Sequence, residues 1–317
     1  MADQTIDHSP MPVAGTVAGP GATPTAEVLG LEEHGLSQRT LVWRRFRRHK
    51  LAMTSMVVLL LIGLGVALAP VIAPYGFSEQ HLDQILQGPS SKHLLGTDQL
   101  GRDELTRLLY GGRVSLLVGL GVALVSGGIG MLAGAAAGFY GGRLDNVVMR
   151  ITDLFLSIPL LVLLIIASRA TGGHIQDIVL VLSLVLWMFL ARIVRGLFLS
   201  LREKEFIEAA RGVGASNRRI IFRHMLPNAL GVMIVNVTLT VAIAILTESL
   251  LSFLGFGIQP PTPSWGNMLE DGRSLMTIAG WLVWFPGLAI LITVLCVNFL
   301  GDGLRDALDP TQRRVRA

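Results

Sequence analysis

Cysteine is all but missing from this chain of 317 residues: Cys296 stands alone inside an apolar run, so no disulfide can brace the fold and the thiol reads as packing. Lysine is nearly as scarce. The three present follow His49, Ser91 and Glu203, so there is no glycine-lysine loop to cradle nucleotide phosphates, and the chain itself cannot hydrolyse ATP. The seven histidines never fall four apart on one helix and lie mostly outside the apolar runs, which argues against a metal site. A G-x-S-x-G nucleophile elbow is also lacking. Charge is thin throughout, at 15% of residues against 51% hydrophobic, and the mean hydropathy of +0.60 is too apolar for an ordinary water-soluble domain.

What the chain does have is long apolar runs. A helix rises about 1.5 Å per residue and the hydrocarbon core of a bilayer is about 30 Å thick, so roughly 20 apolar residues make one crossing. Hydropathy predicts six, at residues 51–73, 114–138, 147–168, 175–195, 229–254 and 279–300. The pI of about 9.7 comes from basic residues interleaved with these runs, not from one polar domain, so membrane topology explains it better than nucleic acid does. Nineteen Lys and Arg flank one side of the spans and six the other, which predicts that both termini are cytoplasmic. Aromatic anchors agree, with Tyr75, Trp281 and Trp284 near the outer ends and Trp43 and Tyr140 near the inner ones.

The ends of the chain differ from its middle. Residues 1–38 are rich in Gly, Pro, Ala and Thr without an apolar period, and are expected to form a disordered cytoplasmic tail. The basic, aromatic segment 39–50 suits either a short helix at the headgroup level or a simple flank of the first span. The membrane domain is expected over 51–310, followed by a basic cytoplasmic end at 311–317.

Several features inside the spans invite a structural reading first. Gly130, Gly134 and Gly138 clear one helix face for close packing. Pro159 and Pro286 should kink or loosen the third and sixth spans, since proline removes a helix hydrogen bond. Arg150 and Asp153, three apart, can pair on one face. Asn236, Thr240 and Glu248 in the fifth span could face a translocation pathway, because polar groups are costly in lipid and turn inward; interhelical hydrogen bonding is an equal reading for each. Glu248 is the only acid well inside a span, whereas proton-driven carriers need relays of such groups. An ion-coupled secondary transporter is therefore the weaker alternative, as is a membrane scaffold without transport.

The segment with the strongest pattern lies between the fourth and fifth spans, at 202–227. Phe206, Ala209, Ala210 and Val213 follow i, i+3, i+4, i+7 spacing and predict a short helix with one small apolar face. Gly214 can end it in a left-handed conformation and Ser216 can cap the next helix. Such a face fits a cleft on another protein or, equally, a bed of lipid headgroups.

Glu208-Ala209-Ala210, Gly214 and Leu226-Pro227 together resemble the EAA loop of bacterial ABC importer permeases. His224 stands where the general pattern has isoleucine, a departure that favours the peptide branch. The stretches His93–Asp103, Ser252–Asn267 and Gly301–Pro310 resemble the C-type permeases of the dipeptide, oligopeptide and nickel importers, so the likeness covers about residues 40–310. It implies an all-α membrane protein with the type I importer permease fold, six transmembrane helices and a cytoplasmic coupling helix. It also implies that Phe206, Glu208, Ala209, Ala210, Arg211 and Gly214 couple to an ATPase. Partners would be a B-type permease, two ATPase subunits holding ATP and Mg, and an extracytoplasmic solute-binding protein, with no cofactor on this chain. The implied cargo is a di- or oligopeptide, with nickel, glutathione or an oligosaccharide as alternatives; nickel is disfavoured because its ligands are not clustered in the spans.

Overall fold

The computed structural model describes residues 38–308, so most of the expected N-terminal tail and the basic C-terminus lie outside the described residues. The described residues are helical, apart from loops and an isolated bridge between Thr97 and Asp103. In chain order the helices are α1 (Gln38–Arg48), α2 (Lys50–Ala67), α3 (Ala69–Ile72), α4 (Glu104–Tyr140), α5 (Gly142–Leu156), α6 (Leu160–Arg169), α7 (Ile175–Arg202), α8 (Glu205–Gly212), α9 (Asn217–Phe253), α10 (Trp265–Arg273) and α11 (Trp281–Leu308). Five of them (α2, α4, α7, α9 and α11) are long and apolar enough to cross a membrane, and α5 with α6 makes a sixth crossing bent by 90°.

The breaks follow the local chemistry. The His49 side chain accepts from the Ala52 amide at 3.1 Å and caps α2. Pro70 at the start of α3 has no amide hydrogen to extend the preceding helix, which ends at Ala67. Pro159 acts more strongly than a kink: α5 ends at Leu156, and α6 starts afresh after the proline. By contrast, α11 stays one helix through the buried Pro286, so loosening there does not become a break. The second turn of α9, Ile220–Met225, is wound as a π helix immediately before Leu226-Pro227.

The glycines set how closely the long helices approach. A methyl group at Gly130 would stand 2.7 Å from the Trp187 carbonyl oxygen, and one at Gly138 2.7 Å from that of Arg195; Gly134 is more crowded still, against Ala191. The predicted glycine face of α4 therefore meets α7 backbone to backbone. A second face, with Gly119 against Ile245 and Gly127 against Val237, receives α9.

One buried cluster joins Val114, Val118 and Val122 of α4 to Ile178, Leu182 and Leu186 of α7 and Leu251 of α9. A second, toward the other end, joins Phe139, Phe198, Ile207, Ile220 and Met225. The crossings alternate between two ends: one carries α8, the other α10. His49 lies 3.7 Å from Asp306, and a methyl group at Gly231 of α9 would meet Leu308 at 3.6 Å, so the start of α2 and the end of α11 lie where α9 starts after α8.

Candidate functional site

At the α8 end, Lys204 precedes a helix whose first turn carries Glu205 and Glu208, placing negative charge where the unpaired amides concentrate. Gly214, at φ +76°, closes the segment: its amide donates to Arg211 at 2.9 Å, and the Ala215 amide donates to the Ala210 carbonyl at 3.0 Å. Ser216 then caps the following turn by accepting from the Arg219 amide at 3.4 Å. Ile207 is fully buried among Phe198, Ile220 and Met225, and Ala210 turns inward beside it. This corrects the predicted single face. Ala210 anchors the helix, while Phe206, Ala209 and Val213 form an exposed stripe, with Val213 85% exposed. Glu208 and Arg211 are exposed as well, so five of the six residues expected to couple to an ATPase, all but Ala210, face outward.

The α10 end is built in the opposite way. Asp98 accepts from the Leu100 amide at 2.8 Å and the Arg102 amide at 2.9 Å, and its Oδ2 receives the Arg102 Nε at 2.5 Å with Arg107 Nε at 3.6 Å. Asp271 of α10 accepts from both arginines, at 3.2 and 3.0 Å. His93 bridges Asp103 and Gln84, each at 2.8 Å, and Asp103 also caps α4 by accepting from the Thr106 amide at 2.8 Å. All of these side chains except Gln84 and Asp271 are buried. Nearby, Ser264 and Asn267 form a capping box on α10, and the Trp265 indole donates to the Leu108 carbonyl at 3.0 Å. The stretch His93–Asp103 is thus tied by a polar knot to Asp271 of α10, whose first turn closes a second stretch with a family likeness.

Between the ends, Asn236 and Thr240 bond to carbonyls of their own helix, at Val232 and Asn236, each at 2.8 Å. Glu248 is fully buried and accepts from Ser115 at 3.1 Å and Ser252 at 2.7 Å, which joins α9 to α4. The three polar residues of the fifth span are not gathered into one site. Asp153 does not pair with Arg150 as expected; its partner is Arg192 of α7, while Asp145 pairs with Arg195 one turn further on. Sequence spacing misses both pairs because the partners lie 39 and 50 residues apart. The available signal was Arg192 itself, a cation inside an apolar run.

Residues 130–314 match the sequence profile of the binding-protein-dependent transport system inner membrane component family. That is over half of the chain, and it takes in α8, α10 and the glycine face of α4. The chain belongs to this family. Residues 37–89 further match the N-terminal transmembrane domain of oligopeptide transport permease C. The oligopeptide transport system permease protein OppC of Mycobacterium tuberculosis is 44% identical over 88% of this chain and 97% of its own length. OppC of Escherichia coli K12 is 44% identical over 89% and 94%, and the dipeptide transport system permease protein DppC of Bacillus subtilis 40% over 91% and 90%. A chain of the MetNI methionine ABC transporter, in an inward-facing conformation, superposes with a TM-score of 0.52 over 64% of this chain and 96% of that one. At 23% identity it shows the shared fold. As a family member the chain is a multi-pass inner-membrane permease subunit of an ABC importer. It is not the catalytic subunit, and the family assembles generally with a partner permease, an ATPase and a binding protein.

Proposed function

We propose that this permease imports di- or oligopeptides, forming half of the translocation pathway beside a B-type permease, and that α8 is its coupling element to two ATPase subunits. What carries the coupling reading is α8 itself, a short helix anchored by Ile207 and Ala210 and offering Phe206, Ala209 and Val213 to solvent. The peptide cargo is supported by the names of relatives that span nearly the whole chain. ATP and Mg belong to the ATPase subunits, and the extracytoplasmic binding protein delivers cargo to the loops at 74–113 and 255–278. Closure of the ATPase pair on ATP draws the two coupling helices together and favours the outward-open arrangement; ATP acts through the relative stability of two states and never touches the cargo. The α8 end is cytoplasmic on this reading, with the termini on the same side.

Two experiments test it. A Glu208→Ala, Gly214→Val double variant in the reconstituted complex should lose ATPase docking or cargo-stimulated hydrolysis, with transport falling in step; native rates would sink the assignment of α8. Single cysteines at Ser91 and Ser216, in a Cys296→Ala background, should differ in labelling by an impermeant thiol reagent on intact cells, with only the first reactive. Equal labelling overturns the topology.

A further inference from the structure

The 90° break between α5 and α6 opens a notch of about 430 Å³, lined by Phe155, Ser157 and Pro159 at the break and by Val185, Phe189 and Arg192 along α7. Arg192 lies ten residues before the end of α7 and three before the end of the apolar run at 175–195. Its guanidinium is fixed on one side only: Nη2 donates to Asp153 at 2.5 Å and Nε to Thr152 Oγ1 at 3.5 Å. Among the described residues no partner takes Nη1. The pair is also unusually open, with side chains 43% and 56% exposed, on a helix that is otherwise apolar around the notch. A charge that faces lipid within an apolar run is costly, so such a face meets water or another protein.

We propose that this notch is a cargo-contact point on the translocation path, in which Arg192, held by Asp153 and Thr152, takes the terminal carboxylate of a passing peptide. The proposal rests on the peptide reading above. The chemistry suits transit: an arginine binds a carboxylate through charge-assisted hydrogen bonds. Asp153 already offsets part of its charge, so the contact is weak enough to release. The apolar wall from Val185 to Phe189 leaves room for side chains of varied shape.

The test uses the complete complex with Phe189→Cys in a Cys296→Ala background, since Phe189 is half exposed and one turn from Arg192. The thiol should react faster with an anionic sulfonated thiosulfonate than with a cationic one, and Arg192→Gln should reduce that preference about tenfold. A tripeptide with a free carboxylate, at millimolar concentration, should slow labelling severalfold; its C-terminal amide should not, and Arg192→Gln should abolish the difference. Lack of labelling overturns the proposal, since the notch is then covered by lipid or by the partner permease. Equal protection by acid and amide, or protection by neither, overturns the carboxylate contact. Uptake of the same tripeptide by the complex without the Phe189 substitution is measured in parallel, and its absence strikes the peptide reading instead.

Discussion

The two ends of this permease carry the most distinctive parts of its sequence and use them in opposite senses. At the α10 end, polar residues are buried and bonded to one another; at the α8 end, apolar residues are left in the open. Buried charges must be paired and bonded, so Asp98, Arg102 and Arg107 depend on one another and on the less buried Asp271. An exposed apolar stripe asks nothing of its own chain. A motif that holds the fold and a motif that offers a surface can therefore be told apart by what truncation does to stability.

The largest effect should come from Asp98→Ala, which leaves two buried arginines with Asp271 alone and should cost about 3–5 kcal/mol. A fall in the thermal midpoint of the purified complex measures it; an unchanged midpoint would dissolve the contrast between the ends. Gly134→Leu should cost about 1–3 kcal/mol or more, because the Ala191 backbone cannot give way, and should lower the yield of assembled complex. Gly214→Val should cost about 1–2 kcal/mol through backbone strain, since nothing lies within 4 Å of a Cβ added there. Its damage should show in ATPase docking more than in melting. Val213→Ser should stay within about 0.5 kcal/mol while weakening ATPase binding, and a loss of stability there would mean that the stripe serves the fold.

Much of this architecture was legible in advance because apolar length and basic flanks are additive along a chain. The spans, the glycine face, the left-handed Gly214 and the Ser216 cap all rest on local chemistry. What hydropathy missed was structure continued by polar residues. Helix α4 starts at Glu104, ten residues before the apolar run, because its first turns are buried in the polar knot. Periodicity could find an apolar face on α8 but not which part of it the body would claim, since Ile207 decides that through contacts with α7 and α9. Asp153 shows the same limit: a neighbour three residues away is visible in sequence, whereas Arg192 is brought up only by the packing of α7. Glu248 fits a pathway reading by type, yet its bonds to Ser115 and Ser252 are those of a joint between helices.

Helix α4 runs unbroken for 37 residues, about 55 Å, from the polar knot to the cluster beside α8. It has the proportions of a lever. Proline is absent from its length, and its glycines lock it against α7 and α9, so bending it would mean giving up those contacts. A tilt of about 5° around its midpoint would move each end by about 2 Å in opposite directions. On the proposed coupling, a binding protein at one end and an ATPase at the other would work the same rigid arm, and neither would move its end without being felt at the far one.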